Sequence, residues 1–470
     1  GRKAVWVRVP PSAPPFLLMP AKKHLLLLNP WIYDFTACDF WLRPLGLLYL
    51  AAILREYTAF QVDFLDFLDS TPLQGYQGFK SRLRPDGRAS FYKEEVPKPE
   101  IFRHIPRKFS RYGWPLALAE ESLKRLSTPE AVLLTCTLTY WYPGVQTAVE
   151  LVRKIFGRVP VILGGIYASL CPEHAARESG ADLVVTGPGE NRLLGLLEEI
   201  CGRSQLKPGA EGVIFPGLDS MLSPAYDLYQ DRSVACLLTS RGCPFSCSYC
   251  ASRRLWPQFE PRSPEKVVSE ILHLHELGAR QIAFYDDALL LNKNQHLEII
   301  LDRIISLNPG LNFHTPNGLS PRAVDAGLAV RLRQAGFTSI FLSLENADPT
   351  WLQETGPKVS PADLETALAF LEEAGYRRDE ISVYLLVGHP AQTREQVVES
   401  LRLVRHLGAR PRLAYYSPVP GTLDWQRLVE AGQVRADSDP LLHNKLAFPY
   451  FWGRISPADL EAINRAHRAG

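Results

Sequence analysis

The sequence predicts two successive parallel α/β units, a flavodoxin-like doubly wound sheet and then an open (β/α)6 partial barrel of the TIM type. Three observations carry this. Five short apolar runs alternate with helical stretches between residues 24 and 202. Six further strand–helix units follow from Val234, too few to close an eight-strand barrel. A cysteine-rich loop, Cys243-x3-Cys247-x2-Cys250, directly follows the first strand of the second series. Strands that alternate with helices argue for parallel sheets covered on both faces. The expected boundaries are 1–23 for a leader, 24–202 for the first unit, 203–232 for a linker, 233–425 for the second unit and 426–470 for an extension.

In the first unit, strands are expected at His24–Asn29, Gln61–Asp66, Ala131–Thr137, Val159–Leu163 and Asp182–Thr186. Helices are expected at Pro44–Tyr57, with proline in the first turn, and at Gly144–Phe156, Pro172–Ser179 and Glu190–Cys201. Ligands of doubly wound sheets sit at the carboxyl ends of the strands. Those ends read Asn29-Pro30, Thr137 through Tyr140-Trp141-Tyr142, Gly164-Gly165-Ile166-Tyr167 and Gly187-Pro188-Gly189-Glu190. One glycine after a strand is turn chemistry. Four such ends on one edge point to a large ligand approached closely by backbone.

Residues 71–115 interrupt the alternation with ten Lys/Arg, among them Lys80, Arg82, Arg88 and Arg111, interleaved with Phe91, Phe102, Phe109 and Trp114. Such a segment suits single-stranded nucleic acid, a lid over an anionic ligand, or a surface loop that packs its aromatics. Net charge is only +2, so lid or packing is expected and nucleic acid is not.

In the second unit, strands are expected at Val234–Leu238, Gln281–Tyr285, Asn312–Thr315, Ser339–Leu344, Ser382–Val387 and Arg412–Tyr416. The intervening helices are Pro264–Leu277, Gln295–Leu307, Pro321–Ala335, Pro361–Ala374 and Arg394–Leu407. Ser263, Ser320, Ser360 and Thr393 are the expected N-caps, and Gly278, Gly336, Gly375 and Gly408 the C-caps. By barrel logic the site lies at the carboxyl ends. There stand the cysteine loop, Asp286-Asp287, Asn317-Gly318, Glu345-Asn346, Gly388-His389-Pro390 and Pro420-Gly421-Thr422.

Three thiolates on one tight loop can hold three corners of a [4Fe–4S] cube and leave the fourth iron open to a substrate. A structural zinc site needs four ligands, usually in two pairs, and no second Cys/His pair follows at that spacing. A redox C-x-x-C would leave Cys243 idle. The other five of the eight cysteines sit mostly in apolar surroundings, so no disulfide scaffold is expected. This cysteine usage points to a reducing cytoplasm. Residues 1–23 carry five cations and five prolines. They are expected to be a leader or expression-derived segment outside the fold, and a poor membrane span. No apolar run of membrane-spanning length occurs, so a membrane is not expected as a partner.

The cysteine spacing, with Tyr249 before the last cysteine, resembles the signature of the radical S-adenosylmethionine (SAM) superfamily. The resemblance implies that Cys243, Cys247 and Cys250 ligate a [4Fe–4S] cluster whose open iron binds SAM. One electron from a flavodoxin or ferredoxin then splits SAM into methionine and a 5′-deoxyadenosyl radical. It further implies SAM contacts from Tyr249, Asp286, Asn317, Ser343, Glu345 and Gly388. The first unit resembles the cobalamin-binding domain that precedes such barrels, through Pro44-Leu45-Gly46, Gly164-Gly165 and Gly187 to Glu190. The corrin contacts this implies are Asn29, Pro30, Leu45, Gly46, Thr137, Tyr140, Trp141, Gly164, Gly165, Tyr167, Gly187, Gly189 and Glu190. The Asp-x-His-x-x-Gly motif that supplies a lower cobalt ligand is absent, which leaves Tyr140, Trp141 or Tyr142 to cover the lower corrin face. Together these features imply a cobalamin-dependent methyltransferase acting on an unactivated carbon of a small molecule or peptide. A cyclase or rearrangement enzyme is the alternative within the family, and a cobalamin- or redox-sensing protein without turnover the alternative outside it.

Overall fold

The structure is a computed structural model that describes residues 23–79, 84–356, 359–452 and 454–468. The expected leader, apart from Lys23, and Lys80 and Arg82 of the insertion lie outside the described residues.

The first unit is a five-stranded, all-parallel sheet. Its order from edge to edge is Gln61–Asp66, His24–Asn29, Ala131–Cys136, Val161–Gly165 and Leu183–Val184. The run Leu25–Leu28 is fully buried because both faces of this interior strand are covered. Alternation sorts its side chains. Leu26 and Leu28 join one core with the helix Tyr142–Phe156, and Leu25 and Leu27 join another with the helices Leu45–Tyr57 and Glu190–Cys201. Each buried leucine contributes about 2 kcal/mol to holding those layers.

The insertion packs rather than projects. Lys93–Glu95 and Ser110–Tyr112 form a small antiparallel sheet with Ile32–Asp34. Phe102, Phe109 and Trp114 are buried. Four of its eight described cations form ion pairs: Arg111 with Glu94, Lys108 with Glu95, Arg103 with Glu100 and Arg88 with Asp86.

The second unit runs Val234–Leu237, Gln281–Phe284, Asn312–His314, Phe337–Ser339, then Phe341–Glu345, Ser382–Val387 and Arg410–Tyr415, all parallel. The fourth strand is one expected element in two pieces. Phe337–Ser339 pairs back to the third strand, and past Ile340 the piece Phe341–Glu345 pairs forward to the fifth. Ser360 and Thr393 cap their helices with side-chain oxygens, and all four expected C-cap glycines have positive φ. Two expected N-caps are corrected. The Ser263 hydroxyl turns to Asp219, and Ser320 starts only a 3-10 turn, while Asp325 caps the helix Ala326–Ala335.

The barrel's bore is filled from the first unit. Trp41 is fully buried among Val234, Cys236, Ala283 and Phe341, and it stacks on His314 with ring centroids 4.2 Å apart. Its indole N–H donates to the Asp86 carbonyl at 2.7 Å. The Tyr285 hydroxyl donates to the carbonyl of Phe40. Phe40 and Leu45 of the first unit and Tyr285 and Tyr384 of the barrel pack against the same cluster.

The extension is a bridge between the units. Tyr142 donates to Asp439 at 3.1 Å and Asn444 to Asp34 at 2.9 Å, while Thr139 Oγ1 lies 3.0 Å from His443 Nδ1. No helix among the described residues is long and apolar enough to cross a membrane.

Candidate cofactor site between the two sheets

A cavity of about 420 Å³ opens where the carboxyl edges of the two sheets meet. The first unit lines it with Leu45, Gly46, Gly164, Gly165, Gly187, Gly189 and Glu190, all expected corrin contacts. The second unit lines it with Cys236, Arg241, Ser252, Leu255, Trp256, Tyr285 and Asp287. Its wall is mostly aliphatic, running down between the helices Leu45–Tyr57 and Glu190–Cys201.

The glycines fit a bulky ligand held by backbone. A Cβ on Gly46 or Gly187 would meet no protein atom within 4 Å, and one on Gly164 would meet only the Val185 carbonyl at 3.9 Å. Side chains there would project into the cavity. Gly165 is different: its φ is +91°, and a Cβ would lie 2.6 Å from Thr135 Oγ1. That glycine is required by the fold itself.

Six expected corrin contacts do not line the cavity. Asn29 is buried and donates to Asp66 at 2.7 Å, with Pro30 buried beside it. Thr137 lies off the wall. Tyr140 is buried, Trp141 donates to Asp34 at 2.9 Å, and the Tyr167 hydroxyl pairs with His174 at 2.7 Å. The aromatic turn expected beneath a corrin instead seats the C-terminal extension through Thr139 and Tyr142. On the first unit's side, the half-buried Arg43 lines the wall. Burial pulls the Arg43 guanidinium down, but Asp39, Tyr229, Asp66 and Asp69 outweigh it and hold it above its ordinary range.

Cys243 and Cys247 are buried and Cys250 is exposed, its Sγ 3.3 Å from Ser252 Oγ. No three His, Cys, Asp or Glu side chains converge as a single-ion site among the described residues. A cubane takes each thiolate on a different iron, so its ligands stand farther apart than those of one ion. The loop is braced on both flanks: Ser248 N–H donates to the Thr355 carbonyl at 3.0 Å, and Asp424 N–H donates to the Ser248 carbonyl at 2.9 Å. The Ser248 hydroxyl is buried with no protein partner. An orphan hydroxyl between two thiolates fits a sulfur-rich group that would accept its hydrogen bond.

The expected SAM contacts ring the barrel mouth outside the cavity wall, and one of them is corrected. Asp286 is 3% exposed, and its carboxylate accepts from Thr239 Oγ1 at 2.7 Å, Ser240 N at 2.5 Å and Ser240 Oγ at 2.6 Å. Burial raises its pKa against those hydrogen bonds. It clamps the root of the cysteine loop and has no face toward a ligand. Its neighbour Asp287 lines the cavity and accepts from Ser252 at 2.9 Å. Asn317 donates to the Tyr285 carbonyl at 2.8 Å. Ser343 lies against Gly318, where an added Cβ would come within 2.4 Å of its hydroxyl. Glu345 holds φ at +66°, a strained conformation of the kind found at ligand clamps. The Gly388 N–H donates to Gln392 at 3.1 Å. The Tyr249 ring packs between Trp351 and His389, and burial pushes its phenol well up.

Sequence reasoning missed the seam. Arg241 Nη1 donates to Glu190 at 2.7 Å and Nε to Glu260 at 2.7 Å, and its guanidinium lies 4.1 Å from the Trp256 ring centroid. Burial lowers the Arg241 pKa, but the two carboxylates outweigh that and raise it. One arginine thus ties the last glycine loop of the first unit to the residue before Gly242-Cys243. Its place next to the cysteines was the only available signal.

Comparison with known proteins agrees with this layout. Residues 118–197 match the B12 binding domain model, and residues 237–404 match the Radical SAM superfamily model. A methyltransferase of uncharacterised function from Pyrococcus horikoshii is 26% identical over 324 residues, covering 63% of this chain and 69% of its own. The anaerobic magnesium-protoporphyrin IX monomethyl ester cyclase of Cereibacter sphaeroides is 26% identical over 351 residues, covering 67% of this chain but 55% of its own. The fold matches that of TsrM from Kitasatospora setae, a radical S-adenosylmethionine methyltransferase with cobalamin and a [4Fe–4S] cluster bound. There the TM-score is 0.62 at 19% identity, covering 88% of this chain and 76% of that one. The chain carries a B12 binding domain followed by a Radical SAM domain, in that order.

Proposed function

We propose that the chain is a C-methyltransferase that works across the shared cavity. The observation that carries this is the single cavity walled by the glycine edge of one sheet and the cysteine-loop side of the other. When bound, the cluster and SAM supply a carbon-centred radical that abstracts hydrogen, and methylcobalamin supplies a transferable methyl group. The chain's own part is placement. Cys243, Cys247 and Cys250 hold the cluster. Tyr249, Asn317, Ser343, Glu345 and Gly388 hold SAM, with Asp287 taking the role expected of Asp286. Gly46, Gly164, Gly187 and Gly189 let a corrin approach the backbone, and Arg241 with Glu190 keeps the two edges in register. The aliphatic wall excludes water, which protects a reactive carbon radical. The electron comes from an external carrier such as flavodoxin or ferredoxin.

The test is anaerobic incubation with SAM and dithionite. 5′-Deoxyadenosine must form, and label from [methyl-13C]SAM must pass to the corrinoid and then to the substrate. The cyclase relative, equal to the methyltransferase in identity at 26% but covered over less of its own length, favours a second reading in which the same radical closes a ring. In that case 5′-deoxyadenosine forms but the product carries no label.

A further inference from the structure

The opposite edge of the first sheet, where its strands begin, gathers side chains that the cofactor site does not use. His24 opens the strand His24–Asn29, and Asp63 lies on the neighbouring strand Gln61–Asp66. Ser127 sits in the loop between the helix Leu116–Lys124 and the strand Ala131–Cys136. Parallel pairing sets His24 opposite Gln61, and strand alternation puts Asp63 on the same face as Gln61. The Asp63 carboxylate thus meets the imidazole. Its Oδ2 accepts from His24 Nδ1, and its Oδ1 accepts from Gln61 Nε2 at 3.1 Å. With the ring proton committed to Nδ1, Nε2 is the accepting nitrogen, and Ser127 Oγ donates to it at 2.8 Å. The loop is held by the buried Pro129 and by the Glu130 N–H, which donates to the His24 carbonyl at 2.9 Å. His24 is 4% exposed, whereas Ser127 and Thr128 are open to solvent. The amides of Ser127 and Thr128 donate to no acceptor among the described residues, so two N–H groups beside the hydroxyl are left for a developing oxyanion. Hydroxyl, imidazole and carboxylate stand in the order of nucleophile, base and orienting group.

We propose that Ser127, His24 and Asp63 form a second active site, one that hydrolyses small carboxylic esters and works without the cluster, SAM or the corrin. Ser127 Oγ attacks the acyl carbon while His24 Nε2 takes the hydroxyl proton. The bond from the acyl carbon to the alcohol oxygen breaks, and the imidazolium gives its proton to the departing alkoxide. Water, deprotonated by the same nitrogen, then displaces the acyl group from Ser127 as a carboxylic acid. The sum is ester plus water to acid plus alcohol, with no change of oxidation state. Asp63 is a positioning residue: it fixes the tautomer that keeps Nε2 available, and its charge faces the imidazolium. An exposed serine suits a short acyl group that arrives from solvent, since a long one would need a walled slot.

The experiment uses the full chain with p-nitrophenyl acetate and a fluorophosphonate as probes. Wild type should release p-nitrophenol, and Ser127→Ala should lower that rate at least about tenfold. Asp63→Asn should lower kcat by about tenfold or more while KM holds, because the imidazole loses its orienting charge but the ester still reaches the serine. A carboxylate that only tied two strands together would not produce that split. Peptide mass analysis should find the fluorophosphonate on Ser127 of the folded wild type and not on urea-unfolded chain, where the imidazole no longer stands beside the hydroxyl. Ester hydrolysis unchanged in Ser127→Ala, or a folded wild type whose Ser127 takes no fluorophosphonate, overturns the proposal.

Discussion

The carboxyl edges of the two sheets border one cavity but are built on opposite principles. The first is an edge of absent side chains: Gly46 and Gly187 face open space, and Gly164 and Gly189 have no neighbour nearer than 3.9 Å, against an aliphatic wall. The second is an edge of side chains already committed to one another. Asp286 is consumed by Thr239 and Ser240, Asn317 by the Tyr285 carbonyl, and His389 by Asp424 at 2.6 Å. The first edge can receive a large ligand by shape alone. The second braces the cysteine loop through those hydrogen bonds, and a ligand there meets the polar atoms they leave over. Substitutions should therefore act differently on the two edges.

The largest effect is expected at the cysteine loop itself. Cys250→Ala should abolish the cluster's visible absorbance and SAM cleavage while leaving corrinoid binding intact, read by iron content, 5′-deoxyadenosine and corrinoid titration. Next is the indole shared by both units. Trp41→Ala empties the bore and should lower unfolding stability by about 3–5 kcal/mol in denaturant titration. Asp286→Asn faces the Thr239 and Ser240 donors with another donor. It should remove about 2–4 kcal/mol and reduce iron retention; a stable variant that loses only SAM affinity would restore Asp286 as a ligand contact. The glycine edge separates the cases further. Gly46→Leu should weaken corrinoid binding at least about tenfold, roughly 1.4 kcal/mol, without loss of stability, since leucine favours a helix over glycine. Gly165→Ala should destabilise the fold instead.

The smallest effect is in the pH profile of the bridge. Burial pulls the His443 imidazole from 6.5 down to about 3, so it is neutral in the fold. The unfolded chain takes up the proton first. The contribution is thus fully present above pH 6.5 and is lost as pH falls from there toward 3. His443→Gln should flatten the acid limb of the Tm–pH curve without abolishing it, because burial also holds His314 down at about 4.

Much of this was legible in the residues. Leu25–Leu28 could only be a strand buried on both faces, and Gln61–Asp66 and Ser382–Val387 fall where their periodicity puts them. The glycine-rich ends of the fourth and fifth strands, expected to meet a large ligand, lie on the cavity wall. Polar and aromatic side chains were harder. Asp286 and Asp287 are adjacent and chemically identical, and only the chain's path decides which one turns inward. Tyr140, Trp141 and Tyr167 carry the composition of a ligand cover, but their partners are Asp34, His174 and the neighbourhood of an extension some 300 residues away. Trp41 in the barrel bore, and Arg241 across the seam, depend on contacts between units that no local pattern encodes.

The most direct measurement is the iron, sulfide and corrinoid content of protein purified without oxygen and reconstituted with hydroxocobalamin. A cavity shared by both edges predicts about four iron, four sulfide and one corrinoid on the same chain. A chain that holds zinc or a disulfide at Cys243, Cys247 and Cys250, or that takes up iron but no corrinoid, would contradict it.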